Sequence, residues 1–199
     1  MENKSKLSES KFSPLFGDWW PKIKPFFYEG KFDPIFKELK SLSARGKKIF
    51  PSSENVFRAF RECPIDEIRV ILVGACPYHS MKDNIIIADG LCLSCGNTNY
   101  PQPSLDYFLS SIEKELYNGL CVPCNRKFDL SYLSNKEGVL LLNAGLTVEH
   151  MKPMSHNLLW EPFMKYLFEN VFDALGVPIV LMGNDAQKLE KYISPFSQI

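Results

Sequence analysis

The sequence predicts an α/β fold, a three-layer sandwich in which a central four-stranded parallel sheet is flanked by helices. Four short apolar runs, at residues 68–73, 91–94, 139–142 and 177–181, have the continuous hydrophobicity of buried parallel strands. Stretches in which apolar side chains recur at helical spacing separate these runs. The 199 residues suit one domain, and 45% hydrophobic residues are enough to fill its core.

The amino-terminal part divides into a leader and an aromatic segment. Residues 1–12 are polar and are expected to be a disordered leader, whereas residues 13–199 are expected to form the single domain. Large aromatic residues such as Trp19 and Trp20 follow, between Lys and Pro residues. Aromatics near a terminus more often anchor a segment to the core than stack on nucleic-acid bases, so we favour docking and keep a base-stacking platform as the alternative.

The first predicted strand ends in a loop from Gly74 to His79. Gly74 permits a turn and Pro77 fixes the backbone, so the loop presents Cys76, Tyr78 and His79 at the carboxyl end of the strand. Ligands bind at this edge in open α/β sheets, although turn formation alone is the simpler interpretation of Gly and Pro here.

Two later elements carry polar groups to the same region. Ser104 is predicted to cap a helix over residues 105–117, and a helix that begins in this way binds phosphate readily. The third predicted strand is apolar until Asn143, whose amide both donates and accepts hydrogen bonds. Asn143 is therefore a candidate binding residue, with a strand-end cap as the alternative. Helices are predicted over residues 160–175 and 185–192.

Charge and hydropathy limit the classes of partner. The chain has 23 basic and 23 acidic residues, so no overall field attracts it to nucleic acid, and any DNA contact must be local. No apolar stretch has the length of a membrane span, and the leader lacks the apolar core of a signal sequence. We expect a soluble, intracellular monomer with no membrane partner.

The cysteines raise the question of a metal. Cys92 and Cys95, together with Cys121 and Cys124, form two Cys-x-x-Cys pairs, a spacing found in zinc sites. The first pair lies in an apolar run that reads as a strand, which is a poor zinc-binding geometry. Reduced, buried thiols are the preferred interpretation, so we expect no metal and no cofactor.

Several motifs, in order and in register, resemble family 1 uracil-DNA glycosylases over about residues 45 to 186. They are Ile-Phe-Pro-Ser-Ser-Glu-Asn-Val-Phe-Arg-Ala-Phe at 49–60, Gly-Ala-Cys-Pro-Tyr-His at 74–79, Pro-Ser-Leu at 103–105, Val-Leu-Leu-Leu-Asn-Ala-Gly-Leu-Thr-Val at 139–148, Ser-His at 155–156, Trp-Glu-Pro-Phe at 160–163 and Val-Leu-Met-Gly at 180–183. The resemblance implies base-excision repair, in which a uracil extruded from DNA is bound and its N-glycosidic bond is hydrolysed.

The resemblance also implies roles for individual residues. Asn143 would read the edge of uracil, and the ring of Tyr78 would exclude the 5-methyl group of thymine. Ala75 occupies the position whose backbone contacts uracil, and His79 completes the Pro-Tyr-His tripeptide. Pro103 and Ser104 match the family segment that contacts DNA, in which the Ser holds a phosphate.

Departures from the family pattern concern catalysis. Cys76 stands where the family has an Asp that positions water and stabilises the cationic sugar, and Ala75 replaces a Gln. Leu93 replaces a Phe that stacks on uracil. The carboxy-terminal His-Pro-Ser-Pro-Leu loop is not found, and we expect the domain to be truncated there. Asp83, Asp89 or Glu149 are candidate replacement carboxylates.

Three hypotheses follow for the activity. The first is a glycosylase-like protein that binds uracil in single- or double-stranded DNA and hydrolyses it weakly, because the water-activating Asp is Cys76. The second is an inactive module of the same fold that binds DNA, uracil or a protein partner. In the third, Cys76 is a nucleophile that traps the abasic sugar, which requires a lowered thiol pKa.

Overall fold

The structure is a computed structural model and describes residues 3–98, 100–117 and 128–194. The strands are β1 (Ile49–Phe50), β2 (Val70–Gly74), β3 (Met81–Lys82), β4 (Ile85–Ile86), β5 (Val139–Asn143), β6 (Val148–Glu149) and β7 (Ile179–Leu181). The α-helices are α1 (Asn3–Phe16), α2 (Trp20–Tyr28), α3 (Asp33–Ala44), α4 (Arg58–Glu62), α5 (Pro103–Tyr117), α6 (Ser131–Glu137), α7 (Asn157–Leu167) and α8 (Asn184–Gln187). Short 3₁₀ turns, and a π-helical turn at Phe168–Phe172, extend several of them.

A parallel sheet with the order β5-β2-β7 forms the centre of the fold. Its middle strand, β2, pairs on both sides, and the side chains of Ile71 and Val73 are fully shielded from solvent. Helices α4 and α6 contact β5, and α8 contacts β2. The α/β prediction is confirmed. No described helix combines the length and the apolarity needed to span a membrane.

The predicted strand at residues 91–94 is wrong, and the described sheet therefore has three strands instead of four. The segment is a bend and a turn, and Leu93 has a φ of +63°, which strand geometry excludes. One backbone hydrogen bond, from Cys92 N–H to the carbonyl oxygen of Leu141 at 3.1 Å, still places the segment beside β5. The apolar run therefore covers the sheet edge without extending it.

The amino-terminal helices are docked on the core through aromatic side chains, which confirms the docking prediction. Phe16 and Trp19 have no exposed surface, and the Trp19 indole N–H donates to the carbonyl oxygen of Cys63 at 2.8 Å. The rings of Phe16 and Phe57 lie 4.4 Å apart. The backbone is helical on both sides of residue 12, so α1 has no boundary there. The division into a leader and a domain stays a prediction.

The predicted helices are present with different limits. The helix expected from residue 105 begins two residues earlier, with Pro103 at its start, where proline is well tolerated. The helix expected over residues 160–175 is α7 followed by the π-helical and 3₁₀ turns, and the one expected over 185–192 is α8 followed by a 3₁₀ turn. Cys121 and Cys124 lie outside the described residues.

Candidate functional site

A pocket of about 330 Å³ lies at the carboxyl ends of the parallel strands. Six of the residues predicted for the site line it: Ala75, Cys76, Tyr78, Leu93, Ser104 and Asn143. Gly74, Pro77, Cys92 and Gly183 complete part of its wall. The pocket has the size of a small-molecule site and stands at the sheet edge where α/β folds bind ligands.

Strand register places the ends of β2 and β5 side by side at the pocket. Gly74 is the last residue of β2 and pairs with Asn143, the last residue of β5. The pairing continues into the loops, because the Ala144 N–H donates to the Gly74 carbonyl oxygen at 2.8 Å and the Gly145 N–H donates to the Ala75 carbonyl oxygen at 3.3 Å. The two loops that line the pocket are therefore extensions of the sheet.

Gly74 is required by the close approach of two pocket side chains. A Cβ at this position would lie 2.4 Å from Cys92 Sγ and 3.2 Å from Asn143 Oδ1. Asn143 is only 4% exposed, so its amide reaches the pocket from a buried position. A buried amide can pair with a ligand that offers both a carbonyl oxygen and an N–H.

Tyr78 connects three parts of the pocket through its hydroxyl group. The phenol donates to the carbonyl oxygen of Leu93 at 3.0 Å, and the Ser104 hydroxyl oxygen lies 2.9 Å from the Tyr78 phenol oxygen. Burial raises the pKa of Tyr78, and the phenol is therefore neutral at physiological pH. Ser104 is the second residue of α5 and does not cap it, so the capping prediction is wrong and the hydroxyl serves the pocket instead.

Cys76 presents a neutral thiol. Burial raises its pKa, the Met154 amide acts in the opposite direction, and the negative charge of Asp185 adds to the increase. The Met154 N–H donates to Cys76 Sγ at 3.4 Å. This direction is the opposite of the lowered pKa that a cysteine nucleophile needs, so it does not favour covalent trapping of a sugar.

Comparison with known proteins identifies the chain. No family model matches it. The uracil-DNA glycosylase of Amoebophilus asiaticus is 35% identical over 178 residues, which cover 87% of this chain and 77% of the relative. The chain belongs to the uracil-DNA glycosylase family. The uracil-DNA glycosylase of Pseudomonas aeruginosa is 32% identical over 185 residues, which cover 91% of this chain and 75% of that protein.

Solved structures of the family share the fold. The crystal structure of mimivirus uracil-DNA glycosylase matches with a TM-score of 0.74 and 20% identity, over 96% of this chain and 71% of that one. The structure from Nitratifractor salsuginis matches with a TM-score of 0.64 and 18% identity, over 100% of this chain and 88% of that one. A mimivirus UNG variant has also been solved in complex with UGI.

Two residues predicted for the glycosylase site do not line the pocket. His79 lies at the far end of its loop, where its carbonyl oxygen accepts from the Met151 N–H at 2.8 Å and its Nδ1 is buried without a described partner. Pro103 begins α5 one residue before the pocket wall. Both residues therefore stand beside the pocket, and their roles stay predictions.

The carboxylates suggested by the sequence as replacements for the family Asp are not in the pocket. Asp89 has no exposed surface and is held by the Ser94 hydroxyl at 2.5 Å and by Arg58 at 3.1 Å, so it fixes the 89–96 loop. Glu149 pairs with Lys47 and Lys152, and Asp83 is exposed in the β3–β4 turn. None of the three is in the described pocket lining.

Sequence reasoning missed the residues that anchor the loop from Gly74 to His79 from outside the pocket. The Asn157 side-chain N–H donates to the Ala75 carbonyl oxygen at 3.1 Å, and Met154 bonds Cys76. Both contacts join segments about 80 positions apart, so no local pattern reveals them. Gly183 had a usable signal, since it comes just after β7 at the sheet edge where Gly74 ends β2.

The described residues contain no group of three or more side chains arranged to hold a metal ion. Cys92 and Cys95 are free, and burial raises the pKa of Cys92 to about 12 and that of Cys95 to about 11. The Cys95 thiol donates to the Tyr100 carbonyl oxygen at 3.2 Å. Because two of the four cysteines lie outside the described residues, the preference for free thiols over zinc stays a prediction.

Proposed function

We propose that this chain binds uracil extruded from DNA and hydrolyses its N-glycosidic bond slowly. The observation that supports this function is the pocket itself, in which the Asn143 amide and the Tyr78 ring stand beside a neutral thiol at Cys76. Family membership supports uracil as the base. The side chains proposed to recognise uracil thus line the same pocket as Cys76, which stands in place of the family Asp that stabilises the cationic sugar.

Each recognition residue has a defined chemical task in this proposal. The Asn143 amide donates to uracil O4 and accepts from N3–H, a pairing that cytosine cannot reproduce because it presents an amino group and an unprotonated nitrogen there. The Tyr78 ring stands against C5 and excludes the methyl group of thymine. Ser104 is exposed beside the pocket and donates to a DNA phosphate, which gives a local contact on a chain with no net charge.

The chemical step breaks the bond between C1′ of the sugar and N1 of uracil. Uracil leaves with the electron pair, the sugar becomes an oxocarbenium ion, and water adds to C1′ and loses a proton. A thiol at position 76 carries no charge with which to stabilise this cation. Loss of a group that stabilises developing charge costs on the order of 10²- to 10³-fold in rate, so we expect excision at least several hundred-fold slower than in a complete family member.

Uracil release from a single-stranded oligonucleotide tests the proposal. The unaltered protein is compared with Cys76→Asp, which restores a carboxylate, and with Cys76→Asn, which matches Asp in shape without the charge. We expect faster release only with Asp. Binding of uracil- and thymine-containing oligonucleotides is measured by fluorescence anisotropy, with Asn143→Ala expected to weaken binding of the uracil oligonucleotide. Equal binding of both oligonucleotides by the unaltered protein would contradict the proposed recognition.

A second candidate is a module that binds uracil-containing DNA or a protein partner as a monomer without hydrolysis. The neutral thiol and the absence of net charge favour it. Preferential uracil binding with no release by either the unaltered protein or Cys76→Asp would select this candidate. Light scattering of the protein with and without the oligonucleotide tests the monomeric state.

A further inference from the structure

A second depression lies on the other side of the loops that form the uracil pocket. This groove measures about 500 Å³, and its wall includes Ala144, Met154, Asn157, Glu161 and Asp185. Its exposed, mixed-charge rim differs from the mostly apolar pocket. The two depressions share no lining residue, and the loop backbones form the partition between them.

Covalent neighbours connect the two sides of this partition. Asn143 lines the pocket and Ala144 lines the groove, so one peptide bond separates them. Gly183 lines the pocket, and Asp185, two residues later, lines the groove.

Hydrogen bonds connect the same two sides. Met154 lines the groove and its N–H donates to the sulfur of Cys76 in the pocket, and the Asn157 side chain reaches through to the Ala75 carbonyl oxygen. The Cys76 thiol and the neighbouring Ala75 backbone are therefore joined directly to residues of the groove wall.

Asp185 is one of the two carboxylates in the wall of this groove. It lies in the first turn of α8, which packs against β2, the strand that carries the Cys76 loop. Its side chain is 28% exposed, and its Oδ1 pairs with Lys188 at 2.6 Å. Its charge also contributes to the raised pKa of the Cys76 thiol. The other carboxylate of the groove, Glu161, binds Lys191 at 2.8 Å and the Tyr192 hydroxyl at 2.7 Å.

We propose that Asp185 supplies, across the loop partition, the negative charge that this chain lacks at position 76. The inference rests on the proposed function and identifies the group that supports the remaining hydrolysis. When the C1′–N1 bond breaks and uracil takes the electron pair, the carboxylate stabilises the cationic sugar. The water that adds to C1′ gives its proton to solvent. Because Coulomb attraction falls only inversely with distance, a carboxylate behind the loop still acts, although less than one in contact.

The experiment measures single-turnover uracil release by Asp185→Asn in two backgrounds. In the unaltered background we expect the rate to fall on the order of 10-fold, less than the 10²- to 10³-fold cost of removing a charge-stabilising group that is in contact with the reacting atoms. In the Cys76→Asp background a closer carboxylate is present, so the same substitution should change the rate only a few-fold. Asp185→Glu, which keeps the charge, should retain most of the release.

Glu161→Gln is the matched control, because it neutralises the other ion-paired carboxylate of the same groove. We expect it to leave the rate within a few-fold. Thermal unfolding of every variant separates loss of charge from loss of structure. An equal loss from Asp185→Asn in both backgrounds would indicate a structural role and overturn the inference, as would no loss in either.

Binding data distinguish failure of the inference from failure of the proposed function. If the unaltered protein binds the uracil oligonucleotide but releases no uracil, the role of Asp185 is overturned while uracil recognition stands. If the protein does not prefer uracil to thymine, the proposed function fails and the inference fails with it. Slow uracil release that depends on Asp185 only when Cys76 is present supports both the proposed function and the role of Asp185.

Discussion

Gly74→Ala should destabilise the protein because the new methyl group has no space. The Cβ would lie 2.4 Å from Cys92 Sγ, against 3.4 Å or more for an ordinary contact. Cys92 is 1% exposed, so its sulfur is packed among other side chains that resist its displacement. Overpacking of a core costs about 1–3 kcal/mol, and we expect a value near the upper end, about 3 kcal/mol, or on the order of 100-fold in the folding equilibrium.

Urea denaturation of four proteins measures this effect: the unaltered chain, Gly74→Ala, Cys92→Ala and the double variant. Removing the sulfur should make room for the methyl group, so Gly74→Ala should cost at least 1 kcal/mol less in the Cys92→Ala background. The contact with Asn143 Oδ1 at 3.2 Å remains, so binding of the uracil oligonucleotide should stay weakened in the double variant. Additive stability changes would refute the steric explanation.

Three further predictions concern residues around the pocket. Tyr78→Phe removes the hydroxyl bonded to Leu93 and Ser104 and should lower the free energy of unfolding by about 1 kcal/mol in urea, while the retained ring still rejects thymine. Arg58→Met leaves the buried Asp89 carboxylate without its cation and should cost about 3–5 kcal/mol. Burial raises the pKa of Asp89, so a lower pH protonates the carboxylate and removes the unpaired charge. The loss of unfolding free energy caused by Arg58→Met, measured in urea, should therefore be smaller at about pH 5 than at about pH 7. An unchanged loss would contradict this. Burial lowers the pKa of His156, so the unfolded chain takes up the proton first and unfolding free energy should fall as the pH drops below about 6.5. In His156→Gln the unfolding free energy should fall less over this pH range. An equal fall in the variant and the unaltered protein would show that His156 is not the group responsible.

The sequence predicts the central strands and the position of the site because both depend on local signals. The apolar runs of β2 and β5 and the polar or glycine residues that end them are adjacent in the chain, and parallel strands bring such ends together. Leu93 shows the limit of this reasoning. Its run is as apolar as a strand, but the turn is held by Asp89, which accepts from the Leu91 N–H at 3.1 Å and from the Gly96 N–H at 2.9 Å.

Contacts that form only through tertiary packing are the part that the sequence did not predict. Asp185 lies in a short helix with no pattern that relates it to Cys76, and only the folded chain packs this helix, α8, on β2, the strand that carries the Cys76 loop. Serine favours helix caps, yet α5 begins at Pro103, one residue before Ser104, and the Ser104 hydroxyl contacts Tyr78. Both outcomes depend on tertiary packing, which overrides local preference.

Continuation of the sheet pairing into the loops has a consequence for the thermodynamics of ligand capture. The backbones that follow β2 and β5 are cross-linked by hydrogen bonds at 2.8 and 3.3 Å, and the Met182 N–H beyond β7 donates to the Val73 carbonyl oxygen at 2.8 Å. A binding wall that is ordered before the base arrives loses little conformational entropy when it closes on a ligand. Under the proposed function, the free energy of uracil binding is therefore available for extracting the base from the DNA stack, the step that every base-flipping protein must drive.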